Sequence, residues 1–129
     1  TGDVVEEISG IVNGTTNYML TKMMNEGAEF GAVLKEAQDN GFAEKDPTAD
    51  IEGYDAARKI AILASIVLGK KVAYADVYTE GITGVTGRDM EYASALGGAV
   101  RLVARMRRGV TGTEVSVAPY IVMNSSPFV

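Results

Sequence analysis

The chain has 129 residues, 47% hydrophobic and 22% charged, with a net charge of −5 and no cysteine, histidine or tryptophan, which is the size and make-up of one folded domain. The missing residue types exclude disulfide frameworks, thiolate nucleophiles, Cys–zinc sites, histidine ligation and Ser-His-Asp hydrolysis, so acid–base chemistry falls to Asp, Glu, Lys or Tyr. The acidic balance leaves no basic face for nucleic acid, and no apolar run reaches the roughly 18–20 residues of a membrane-spanning helix.

Residues 3–12 (DVVEEISGIV) are rich in β-branched types and predict a strand. Asn13-Gly14 punctuates it. Thr15 or Thr16 then caps a helix running to about Asn25, with Tyr18, Met19 and Met23 at helical spacing and Gly27 as its stop. The six methionines read as core filler. A second helix spans 30–39, with Val33, Leu34 and Ala37 on one face and Asn40-Gly41 as a left-handed stop. The polar segment 42–50 (FAEKDPTAD) follows, where Pro47 pushes Asp46 away from helical geometry. Asp50 or Thr48 caps a third helix over 51–68, ended by Gly69. Its first half is polar and emerges at a surface or cleft. Its second half (IAILASIVL) is apolar and is assigned to the core.

Residues 80–85 read as a strand. Thr86 or Arg88 leads into a short helix over 89–96, closed by Gly97-Gly98. Residues 99–108 alternate, with Leu102, Ala104 and Met106 on one face and Arg101, Val103, Arg105 and Arg107 on the other, as a half-exposed strand does. Gly109 to Gly112 forms a hairpin loop, and 113–122 alternate again. Pairing of the two brings Glu114 near Arg105 or Arg107. The order β-α-α-α-β-α-β-β predicts an α+β fold, a mostly antiparallel sheet covered on one face by helices.

The densest group of chemical side chains is Glu44, Asp46, Asp50, Glu52, Asp55, Arg58 and Lys59. Asp55 and Lys59 stand four apart on the expected helix, about 6 Å along its axis. As an exposed pair they contribute only about 0.3–0.5 kcal/mol. Lys59, however, directly precedes the apolar run, so its stem enters the core boundary, and Glu44 and Asp50 arrive from the loop at the same helix end. Kept charged by Asp55, the Lys59 ammonium can protonate a carbonyl oxygen as it becomes an alkoxide, and the acids can attract a substrate ammonium. The carboxylate spacing lacks an EF-hand pattern, and no metal site is expected. No G-x-G-x-x-G or G-x-x-x-x-G-K-[ST] follows a strand, so no nucleotide-binding half lies within the chain. Asn13-Gly14-Thr15-Thr16 reads as a turn with a helix cap, or as a loop whose backbone N–H groups face a ligand.

Two runs carry a family resemblance. Residues 10–20 (GIVNGTTNYML) resemble the segment that follows the nucleotide-binding domain of homoserine dehydrogenases. Residues 34–60 contain G-F-A-E-K-D-P-T-A-D-I-E-G-Y-D-A-A-R-K, which resembles that family's substrate-site signature G-[FY]-A-E-x-D-P-x-x-D-x-x-G-x-D-A-A-R-K. Glu80-Gly81-Ile82, Leu96-Gly97 and Val115-Ser116-Val117 continue the likeness, which covers essentially the whole chain. It implies a domain like the carboxy-terminal domain of glyceraldehyde-3-phosphate dehydrogenase (GAPDH-C-terminal-domain-like). It also implies a cytoplasmic enzyme interconverting L-aspartate 4-semialdehyde and L-homoserine with NAD or NADP, on the route to threonine, methionine and isoleucine. Lys59 matches the catalytic proton donor, Glu44, Asp50 and Asp55 match substrate-binding carboxylates, and Gly41 matches a glycine lying against the cofactor. Phe42 stands where some members carry Tyr.

The resemblance further implies a homodimer formed through the sheet. Thr1 in place of Met, and Val129 just after Ser-Ser-Pro, are the ends expected of an excised domain. The nucleotide domain, its second lysine, a sodium-binding loop and the closing helix are then missing, and the piece alone is expected to be inactive. Two other functions suit an acidic α+β domain: a non-catalytic amino-acid sensor and a pure oligomerisation module.

Overall fold

The computed structural model describes residues 6–125. Its strands are β1 (Glu6–Gly10), β2 (Tyr78–Thr79), β3 (Gly98–Gly109) and β4 (Gly112–Met123), and its helices are α1 (Gly14–Glu26), α2 (Phe30–Asp39), α3 (Thr48–Ile51), α4 (Tyr54–Leu68) and α5 (Gly87–Ala95). One sheet carries the strands in the order β1-β3-β4-β2, antiparallel except for the β2–β4 pair. This is the mostly antiparallel α+β arrangement that the alternating strands predict.

The long β3–β4 hairpin is the spine of the sheet. Its two-residue loop, Val110-Thr111, lies between the paired glycines Gly109 and Gly112, and its register sets Arg107 opposite Glu114. Period-two alternation turns Val100, Leu102, Ala104, Met106, Val115 and Val117 to one face, where they share a core with Met19, Leu20 and Met23 of α1 and Ile60 and Ala64 of α4. Each fully buried side chain of this size contributes about 1.5–3 kcal/mol of burial free energy. The other face carries Arg101, Arg105 and Tyr120, with Arg105 stacked over the Tyr120 ring at 5.4 Å and 3.3 Å from Glu7. Val103 and Ala118 on that face are also buried, outside the main core. The strand is therefore less exposed than alternation suggests, because the arginine and tyrosine stems lie over the small residues between them.

Several elements differ from the sequence reading. Residues 3–5 of the first expected strand lie outside the described residues. Asn13, not Thr15 or Thr16, caps α1, and its side chain accepts from the Thr16 N–H. The expected helix over 51–68 is two helices, because Gly53 adopts φ +84° between α3 and α4. Asp50 therefore sits inside α3 and Thr48 begins it, so neither caps the long helix.

The apolar second half of α4 is not wholly in the core either. Ile60, Ala61 and Ala64 are buried, whereas Ile62 and Ile66 are 64% and 73% exposed. The run of nine residues is apolar all round, but a helix packed on a sheet has only one face to bury. The strand expected at 80–85 is displaced to β2. Glu80 still donates its N–H to Val117, but Gly81 passes so close to α3 that the chain turns, and Ile82 donates to the Ile51 carbonyl. The short helix over 89–96 begins two residues earlier, at Gly87, behind a reciprocal cap between Thr86 and Asp89. On α1, Lys22 ties the helix to α2 through Glu36 and to its own next turn through Glu26; Glu36, then Glu26, hold the Lys22 ammonium well above the ordinary lysine range.

A side chain at Gly81 has no room: its Cβ would stand 2.2 Å from the Ile51 carbonyl oxygen and 2.4 Å from the Glu52 Cα. Gly81→Ala is expected to lower the unfolding free energy by about 1–3 kcal/mol or more in urea titrations, since backbone must move to admit it. A midpoint equal to wild type would show that this approach is not tight.

Candidate active site

The site forms where β1 gives way to α1. Asn13 has extended backbone (φ −132°, ψ 114°), so its side chain folds over the open helix end. Its Oδ1 accepts from the Thr16 N–H and the Thr16 hydroxyl, each at 2.9 Å. Its Nδ2 donates to Asp50 Oδ1 at 2.9 Å and to Asp55 Oδ2 at 3.0 Å. Asp55 lies in the first turn of α4, where the helix end favours a negative charge. One turn on, Lys59 Nζ lies 2.9 Å from Asp55 Oδ2 and donates to the Val12 carbonyl at 2.9 Å. The ammonium thus has two fixed acceptors, one from its own helix and one from the turn before α1.

Burial grades sharply across the cluster. Asn13, Thr16 and Asn17 are buried, whereas the side chains of Lys59 and Asp55 are 52% and 35% exposed. The inner side is packed polar structure and the outer side is open. The Lys59 hydrogen bond holds the Asp55 carboxyl below its ordinary range against partial burial, with help from Asn13 and from the charges of Lys59 and Arg58. Arg58 stacks on Tyr74, its guanidinium carbon 5.1 Å from the ring centre. Asp46 is likewise lowered, by bonds from the hydroxyl and N–H of Thr48, which spend it on the start of α3.

Of the residues singled out from sequence, Asp50, Asp55 and Lys59 come together through Asn13. Glu44 does not join their hydrogen-bond network; its side chain is exposed, and Gln38 fixes its backbone by donating to the Glu44 carbonyl at 3.0 Å. Gly41 is exposed at φ +80°, with nothing within 4 Å of where a Cβ would stand. The loop bearing both is tied to the start of α1 by Thr15, whose hydroxyl donates to the Phe42 carbonyl at 3.2 Å. Phe42 packs edge-on against Tyr18 with ring centres 5.3 Å apart. The sequence placed Asn13 in a turn or in a loop whose backbone N–H groups face a ligand, and gave the helix cap to Thr15 or Thr16, so its inward-facing side chain was missed; its two carboxylate partners come from residues far along the chain. A cleft of 590 Å³ lies elsewhere, lined by Glu52, Thr79, Asp89 and Tyr92 among others. Among its lining residues are neither Lys59 nor Asp55, nor any lysine or arginine, so the Lys59 cluster is the candidate site that joins acids to a cation.

The homoserine dehydrogenase family model matches residues 1–129. The chain belongs to the homoserine dehydrogenase family. It is 46% identical to the homoserine dehydrogenase of Bacillus subtilis over 97% of this chain and 29% of that protein. It is 52% identical to the one from Synechocystis over 80% of this chain and 24% of that protein. Among solved structures, the homoserine dehydrogenase of Thiobacillus denitrificans superposes with a TM-score of 0.92 at 43% identity, covering 97% of this chain and 29% of that one. A hyperthermophilic archaeal homoserine dehydrogenase mutant in complex with NADPH superposes at 0.75 with 31% identity, covering 98% and 35%. The chain therefore spans about a third or less of the homoserine dehydrogenases it matches. Its residues do not fit a whole dinucleotide: no phosphate-binding glycine fingerprint is present, and Gly41, exposed and with open space where a Cβ would stand, is the one cofactor-contact candidate from the sequence.

The lowered Asp55 carboxyl makes this part of the fold pH-dependent. Its folded-state pKa lies below its unfolded one, so its stabilisation is complete above the ordinary carboxylate range and is lost as pH falls from there through the lowered folded value. The difference in unfolding free energy between wild type and Asp55→Asn is expected to be present near pH ~7, below about 1 kcal/mol for so exposed a pair, and to shrink toward pH ~3. A difference that grew on acidification would contradict this sign.

Proposed function

We propose that this chain is the substrate-binding and catalytic domain of a homoserine dehydrogenase, acting on L-homoserine and L-aspartate 4-semialdehyde. The observation that carries the reading is the Lys59 ammonium, held 2.9 Å from both the Asp55 carboxylate and the Val12 carbonyl and open on its outer side. NADH or NADPH, once bound, would supply the hydride for the aldehyde carbon. Lys59 faces the oxygen, stabilises the charge that builds on it and gives it a proton; in the reverse direction it takes the proton from the homoserine hydroxyl. Asp55 orients Lys59 and, with Asp50 and Glu44, presents an excess of negative charge to the substrate ammonium. Gly41 would lie against the cofactor, since it has no side chain to obstruct the approach.

The rest of the cofactor site, and with it the choice between NAD and NADP, belongs to a nucleotide-binding domain outside this chain. The domain alone is inactive for that reason. The helix-free face of the sheet, with Val103 and Ala118 between Arg101, Arg105 and Tyr120, is the surface through which two copies pair. The complete enzyme works in the cytoplasm, in the biosynthesis of threonine, methionine and isoleucine. Nothing at the cluster needs a metal for this chemistry, since the proton donor is already a cation.

In the complete enzyme, Lys59→Ala is expected to lower kcat for aldehyde reduction by about 10²–10⁴-fold, the usual cost of losing a general acid. The KM for cofactor should change little. Unchanged turnover would remove Lys59 from the mechanism.

A further inference from the structure

We propose that Asn13 is a positioning residue for the acid pair: its side-chain amide, locked in one orientation by the first turn of α1, holds Asp50 and Asp55 together and keeps Asp55 turned toward Lys59. The proposal deepens the catalytic reading above and rests on it.

The orientation of the amide is fixed by chemistry. The Thr16 backbone N–H can only donate, so the Asn13 atom 2.9 Å away must be the oxygen. The amide nitrogen then faces the two carboxylates, 2.9 and 3.0 Å away, and each of its two protons has its own acceptor. Two carboxylates brought to one point repel each other, and a neutral two-proton donor between them offsets this without adding charge. A lysine in its place would bind both acids as well, but would compete with Lys59 for Asp55.

The backbone of Asn13 is itself braced from behind. Asn17, also buried, donates through Nδ2 to the Asn13 carbonyl at 2.9 Å and to the Leu102 carbonyl at 3.3 Å, while its Oδ1 accepts from the Leu102 N–H at 2.9 Å. Leu102 lies beyond the end of β1 and opposite Pro119, which has no N–H to offer. The Asn17 amide therefore serves Leu102 as a strand neighbour would, and pins the start of α1 to the middle of the sheet. Every buried polar side-chain atom among the described residues has a partner, so the chain from Leu102 through Asn17 and Asn13 to Asp55 is complete. The charged groups that bear on Asp55 are Lys59 and Arg58 on its own helix and Asp50 on α3.

The test uses the complete dehydrogenase carrying this domain. Serine keeps the helix cap but is too short to donate to both acids. Asn13→Ser is expected to raise the KM for homoserine by about 10- to 100-fold, the weight of hydrogen bonds to charged groups, while the KM for cofactor and the thermal midpoint stay close to wild type. A merely structural role would instead lower the midpoint and disturb both KM values together. Asn13→Asp also keeps the cap but sets a third carboxylate beside Asp50 and Asp55, and the acid limb of kcat/KM against pH is expected to move upward by about one unit. An Asn13→Ser enzyme with wild-type homoserine KM overturns the proposal; should that variant not fold, an unmoved acid limb in Asn13→Asp overturns it. A wild-type enzyme inert toward homoserine overturns the catalytic reading and this role with it, whereas an active wild type with silent Asn13 variants overturns this role alone.

Discussion

The contact between Lys59 and Asp55 organises this end of the molecule. On an isolated helix such a pair is a weak surface interaction. Here each partner has a second anchor outside the helix. Lys59 reaches back to the Val12 carbonyl, and Asp55 is met by the Asn13 amide, so the turn between β1 and α1 is bonded to the start of α4 on both sides of the ion pair. A flexible lysine becomes a placed one. Its ammonium is directed by fixed acceptors on the inner side and left free on the outer side, which is the arrangement a proton donor requires.

The fold serves that placement through a few backbone decisions. Gly53 breaks what would be one continuous helix, and the break lets α3 bring Asp50 back toward Asn13 while α4 begins afresh with Asp55 in its first turn. Gly81 lets the loop after β2 press against α3, and Ile82 bonds to the last carbonyl of that short helix. The sheet enters through Leu102, whose backbone is completed by Asn17. The face of β3 that carries Arg101 and Arg105, where two copies are proposed to pair, is therefore only one residue away from the brace that reaches the Lys59–Asp55 cluster.

Much of this was legible in the sequence, for physical reasons that can be named. Residues 99–108 and 113–122 alternate with period two around a Gly-bounded loop, so both strands of the hairpin follow from local pattern, which left Glu114 opposite Arg105 or Arg107; the structure sets it opposite Arg107. The i, i+4 spacing of Asp55 and Lys59 at the border of an apolar run gave the ion pair. What local pattern could not give were effects of distant partners. Gly53 is left-handed at φ +84°, and a Cβ there would press on Thr79, Glu80 and Val117, none of which is near it in sequence. Ile62 and Ile66 look like core and are exposed, because apolar content does not say which face of α4 meets the sheet. Asn13 looked like an ordinary turn residue, because its two carboxylate partners lie 37 and 42 residues further on.

The most direct measurement is a structure of the complete enzyme with homoserine and oxidised cofactor bound. The account places Lys59 Nζ within hydrogen-bonding distance, about 2.7–3.2 Å, of the homoserine side-chain hydroxyl, still held by Asp55, with the substrate ammonium among Glu44, Asp50 and Asp55. A complex in which the hydroxyl is met by other groups, while Lys59 points away into solvent, would contradict it.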